Sequence, residues 1–81
     1  MIHKFEGIYG TMFVVHQTDA SLSKEIQELI PKIQEEKLVP FNDVYVKVPA
    51  IMFQKFLDLC DTNRIKYKDV EMKKNIFLVK F

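Results

Sequence analysis

Arg64, Lys66 and Lys68 occupy alternate positions of "RIKYK". On an extended strand that spacing places three cations on one side, about 6.5 Å apart. The chemistry available to such a row is electrostatic: it could track the phosphates of RNA or single-stranded DNA. Lys73 and Lys74 follow in the same basic C-terminal third as further candidates, and Tyr45 with Lys47 would add a stacking ring and a further cation if their strand lies beside it. Against this reading, Asp69 and Glu71 interrupt the charge, no glycine-aromatic ribonucleoprotein motif is present, and the pI of 7.8 is low for a dedicated nucleic-acid binder. A solvated strand face whose lysines protect a sheet edge accounts for the same residues.

Three apolar residues suggest a different chemistry. Ile51 falls on the helix side that carries Gln54, Lys55 and Asp58, Phe41 lies between Pro40 and Asn42, and Phe81 ends the chain. Together they would form a patch for a protein partner or a second copy of the chain. Single exposed hydrophobes are ordinary, however, and no spacing makes these three neighbours.

Catalysis has less to draw on. His16 ends an apolar strand just before a helix, with Asp19 and Ser21 close by and His3 as a distant second proton carrier. A hydrolase or nuclease built on His16 would also need charge stabilisers, and sequence does not bring the only arginine, Arg64, near it. Cys60 shares helical spacing with Phe56 and Met52 and is flanked by Asp58 and Asp61, the setting of a small core hydrophobe rather than of a reactive thiol. The carboxylates Glu25, Glu35 and Glu36 read as a solvated helix face and lack the clustering of a metal site. No catalytic residue, metal or cofactor is assigned.

The bounds on the molecule agree with a binding role. A chain of 81 residues holds one hydrophobic core, and 48% hydrophobic content with seven Phe excludes a disordered composition. The single cysteine forms no intrachain disulfide, and the N-terminal stretch lacks the three-part pattern of a signal peptide, so a cytoplasmic protein is expected. Its apolar run at 12–15 is too short to span a bilayer, so no membrane partner is expected. Eleven of the twelve cations are lysine, the bias of AT-rich coding, which points to a low-GC bacterium or its phage. The net charge of +1 hides an asymmetry: residues 64–81 carry +4 and the remainder −3.

These residues must be positioned by the following elements. "IYGTMFVVHQ" (8–17) reads as a central strand, preceded by an edge strand in "IHKFE", with Gly7 and Gly10 allowing a tight turn between them. Leu22, Ile26, Leu29, Ile30 and Ile33 form one stripe of a helix over 18–37, capped by Thr18, Asp19 or Ser21. Pro31 within it predicts a kink or two short helices. "DVYVKV" (43–48) alternates as a half-buried strand, and Pro49 opens a second helix to residue 62 that Asn63 would cap in a left-handed conformation. "RIKYKDVEM" and "NIFLVKF" read as an antiparallel hairpin, with Phe77, Val79 and Phe81 on one face. The expected fold is a single α/β (or α+β) domain of two or three layers over residues 1–81. Its order is β-α-β-α-β-β with a mixed sheet, and a ferredoxin-like order is the runner-up.

The functional expectation is a small non-enzymatic regulatory or inhibitory protein that binds a protein partner or itself. RNA or single-stranded DNA binding through Arg64, Lys66, Lys68, Lys73, Lys74, Lys47 and Tyr45 is the alternative. A small hydrolase or nuclease comes third.

Overall fold

The computed structural model describes residues 2–8, 10–15 and 22–81, and of 22–26 the backbone only. Among the described residues five strands and two α-helices follow the expected order, with the N-terminal edge strand present: β1 (Ile2–Gly7), β2 (Gly10–Val15), α1 (Leu22–Lys37), β3 (Asp43–Pro49), α2 (Phe53–Thr62), β4 (Asp69–Lys73) and β5 (Ile76–Lys80). The sheet is mixed, in the order β1-β2-β3-β5-β4. β1 pairs antiparallel with β2, β2 parallel with β3, and β5 antiparallel with both β3 and β4. The α2 crossover therefore carries the chain past the place that β5 later fills, and β4 runs parallel to β3 at the far edge.

Strand alternation decides which face meets the helices. Phe13 and Val15, Val44, Val46 and Val48, and Val79 with Phe81 are buried, and they join Leu29, Ile30 and Ile33 of α1 and Phe56 and Cys60 of α2 in a single cluster. Phe53 stacks on Phe77 with ring centroids 3.9 Å apart, and Phe56 meets Phe81 edge-on at 6.1 Å. Both helices thus lie on one side of the sheet, and the domain has two layers. On the other side Met12, Val14, Tyr45, Lys47, Leu78 and Lys80 alternate with the core residues, and neither described helix lies over them.

Local chemistry sets the element ends, and several differ from expectation. α1 is one helix with Pro31 inside it rather than two short ones. Pro31 and Gln27 are both exposed, so the Gln27 carbonyl that loses its partner can turn to water. Replacing Pro31 by alanine restores that hydrogen bond and is expected to stabilise the domain by about 2 kcal/mol in chemical denaturation. No gain, or a loss, would mean that the helix relies on the ring. The proposed caps Thr18, Asp19 and Ser21 lie outside the described residues, as do His16 and the side chains of Leu22 and Ile26. Pro49 closes β3 and begins a 3-10 turn over Ala50–Met52 instead of opening α2 itself.

The segment read as a strand from Arg64 is the largest correction. Residues 65–67 have no regular structure and β4 begins only at Asp69. The cause lies at the end of α2, where the Arg64 N–H donates to the Asp61 carbonyl at 3.1 Å and the Ile65 N–H to the Cys60 carbonyl at 2.9 Å. This pair of bonds is the Schellman closure, and its left-handed residue is Arg64 (φ 58°), not Asn63 (φ −94°). Ile65 then drops into the core beside Cys60, which holds the chain in a loop over the sheet end until Lys68 donates its N–H to Lys80.

Candidate partner-binding end

Strand register brings several loops to one end of the domain. Gly10 pairs with Asp43, so the β1–β2 turn and the loop from α1 to β3 emerge together. Lys68 bonds Lys80 and Phe81 bonds Val44, which draws residues 64–68 to the same end. α1 and α2 also finish here. Gln34, Lys37, Leu38, Arg64 and Ile65 line a shared concavity of about 310 Å³, and Lys37 Nζ donates to the Lys66 carbonyl at 3.3 Å.

Two kinds of side chain are concentrated at this end. Phe41 is fully exposed, as is Ile8, while Leu38 is 84% and Val39 49% exposed. Lys37, Arg64, Lys66 and Lys68 provide four exposed cations, and among the described residues none of them forms an ion pair with a carboxylate. Part of this charge offsets the negative C-terminal ends of the two helices. Phe41 also sits at φ 59°, a left-handed conformation that is an outlier for a bulky residue.

A polar network holds the α1–β3 loop in place. Glu36, 16% exposed, accepts from Thr11 Oγ1 at 3.2 Å and pairs with Lys4 Nζ at 2.6 Å, which also reaches Glu6 at 2.8 Å. Asn42 Nδ2 lies within hydrogen-bond distance of Glu36 Oε2, the Glu36 carbonyl and Thr11 Oγ1. The sequence pattern places Glu36 on a solvated helix face; tertiary packing converts it into the tie between α1, β1 and β2. The Lys4 ammonium holds the Glu36 carboxyl below its ordinary value against the opposing cost of burial, and Thr11 and Asn42 assist. Its partner moves the other way, the Lys4 ammonium being raised chiefly by Glu36.

A depressed carboxyl stabilises the fold fully above pH 4.5, its ordinary value, and loses that contribution as pH falls through the lowered one. The acid limb of a thermal-melting profile is expected to flatten in Glu36→Gln, with a lower melting midpoint at neutral pH. Identical acid limbs in both proteins would contradict the network.

The residues singled out from sequence separate into distinct places. Arg64, Lys66 and Lys68 join Phe41 at the loop end, which brings together two sets chosen for different chemistries. Tyr45, Lys47 and Lys73 lie instead on the uncovered sheet face. There Lys80 Nζ sits 5.7 Å from the Tyr45 ring, already occupying a face that a base would need. Lys74, at φ 43°, lies in the turn between β4 and β5 at the opposite end.

The apolar triad is divided as well. Ile51 is 69% exposed but follows the far end of β3, roughly 23 Å of strand away from Phe41. Phe81 is 2% exposed and belongs to the core, because its N–H closes on Val44 and its ring seats on Phe56; it is not available to a partner. Sequence reasoning missed Ile8, Lys37, Leu38 and Val39. The available signal was "KLV", apolar residues placed after the helical stripe ends and before Pro40.

Chemistry at the remaining candidates is limited. Burial pushes the Cys60 thiol up to about 11, with Asp61 adding to the effect and Lys37 opposing it, so the nucleophilic thiolate is scarce at neutral pH. His16, Asp19 and Ser21 lie outside the described residues. Among the described residues no group of three His, Cys, Asp or Glu side chains is placed to hold a metal ion, and no described helix is long and apolar enough to cross a membrane.

Fold and site together define a small two-layer α/β domain with a mixed five-stranded sheet, both helices on one face, and an apolar and cationic loop end. In comparisons with known families, curated proteins and solved structures, no family model, protein or structure matches the chain.

Proposed function

We propose that this chain is a small non-enzymatic binding protein that regulates or inhibits a larger protein, docking through the end that carries Phe41. The supporting observation is Phe41 itself, a fully exposed phenyl ring on a residue at φ 59°. The backbone conformation costs about 1–2 kcal/mol in a residue with a Cβ, and the exposed ring gains no packing within the fold. Glycine or asparagine would serve the loop better. An aromatic ring kept there suits an anchor that becomes buried only in a complex. Leu38, Val39 and Ile8 enlarge the apolar area, and Lys37, Arg64, Lys66 and Lys68 would steer toward a partner whose pocket is rimmed by carboxylates.

The absence of described carboxylate partners for Arg64, Lys66 and Lys68 also favours a second reading, binding of RNA or single-stranded DNA. One set of proteins separates the two. Wild type, Phe41→Ser and the triple variant R64Q/K66Q/K68Q are used as bait for stoichiometric capture, and each is titrated against labelled RNA and single-stranded DNA at low and moderate salt.

The expected result is a protein retained by wild type, retained at least about tenfold less by Phe41→Ser, and weakened in a salt-dependent way in the triple variant. Steeply salt-sensitive nucleic-acid binding that only the triple variant loses would transfer the function to the second reading. Capture indifferent to Phe41 would refute the docking end.

A further inference from the structure

We propose that the uncovered face of the sheet is the docking site for a second copy of this chain, making the protein a face-to-face homodimer. This surface adjoins the Phe41 end at Ile8, and the proposal does not depend on Phe41.

An antiparallel or mixed sheet with one wet side ordinarily alternates apolar residues inward and polar residues outward. The outward positions here depart from that pattern. Met12 and Val14 on β2, Tyr45 on β3, and Ile76 and Leu78 on β5 all point away from the helices and are only half covered by their neighbours. Register sets Phe5, Met12 and Tyr45 in one cross-strand row that runs on to Lys80, and Val14, Lys47 and Leu78 in the next, so apolar groups on β2 and β5 flank a central pair of lysines. A concavity of about 290 Å³ beside Phe5, Met12 and Tyr45 gives the face relief into which a side chain from an opposing sheet can fit.

Charge selects the occupant. On this face Lys47, Lys73 and Lys80 are matched by Asp43, Asp69 and Glu71, with Asp69 opposite Lys80 in register. A phosphate backbone or an anionic lipid surface would meet three carboxylates here. A strongly charged protein of either sign would find no net attraction. A second copy meets a surface of zero net charge that offers both signs, which is what a self-complementary contact needs to escape self-repulsion.

Size is consistent with this. Five strands span about 20 Å and their residues about 18 Å, which in two copies is about 720 Å² of flat area and about 1,000 Å² with side-chain relief, the size of a weak, reversible contact. Affinity in the micromolar range is expected.

Sedimentation equilibrium from low micromolar to several hundred micromolar protein tests the proposal. The expected result is a shift toward twice the 9.6 kDa chain mass. Leu78→Lys and Met12→Lys should each raise the dissociation constant about tenfold or more while keeping the circular dichroism of wild type, and Phe41→Ser and Ile51→Ser should remain dimeric. Hydroxyl-radical labelling of the wild type should show Met12 and Tyr45 protected as concentration rises, a readout that holds even if a lysine variant fails to fold. A wild type that stays monomeric throughout, a dimer indifferent to both lysine variants, or protection that falls elsewhere would overturn it.

Discussion

Phe81→Ala is expected to destabilise the domain by about 3–4 kcal/mol, the cost of emptying an aromatic site in a packed core. A chain of this length has roughly 4–12 kcal/mol of stability in total, so the loss should appear as a large shift of the urea midpoint. The ring is 2% exposed, meets Phe56 edge-on and carries the Lys37 ammonium 6.0 Å from its centroid. Phe81→Leu, which keeps most of the volume, should cost only about 1 kcal/mol. Phe41→Ser should leave the midpoint unchanged or raise it slightly, since nothing in the fold rests on that ring. The two phenylalanines, alike as apolar candidates in sequence, are therefore predicted to behave in opposite ways. Equal effects at both positions would show that the C-terminal residue does not sit where the structure puts it.

Gly10→Ala should produce a loss of similar size, about 3 kcal/mol. Gly10 has φ 157°, and a Cβ there would lie 2.1 Å from the Asp43 carbonyl oxygen and 3.0 Å from its carbon. Those atoms belong to the backbone of the neighbouring parallel strand and cannot rotate away, so β2 and β3 would have to separate where the β1–β2 turn meets Asp43. Gly7→Ala is the internal control, because its nearest atom is the Gly10 carbonyl oxygen at 3.8 Å, an ordinary contact. Loss at Gly10 without loss at Gly7 identifies the close strand approach as the cause. A tolerated Gly10→Ala would mean that the pairing is looser than the register indicates.

Much of the architecture was legible in the residues. Alternation in "DVYVKV" and the stripe of Leu29, Ile30 and Ile33 are local patterns of period 2 and 3.6, and each was set by which side chains must leave water. The edge strand before Gly7 and the inward face of Phe77, Val79 and Phe81 followed from the same reasoning. Pattern reading failed where two periods share a segment. "RIKYK" alternates as a strand would, yet Ile65 is drawn down by the helix closure at Cys60, and its alternation records a loop with one buried residue. Local pattern carries no information about which neighbour imposes it.

The candidate site was legible only in fragments. Phe41 and the three cations of residues 64–68 were visible as separate oddities, but their union at one end requires the register that sets Gly10 against Asp43 and the bonds that tie Lys68 to Lys80. Sequence by itself determined the class of fold and the single core, because burial of apolar surface acts residue by residue. Tertiary structure alone decided that both helices share one face, that Phe81 is inside while Phe41 is outside, and that the cations divide between a loop end and a charge-balanced sheet face. Those outcomes depend on strand order and long-range pairing, and no local periodicity encodes either.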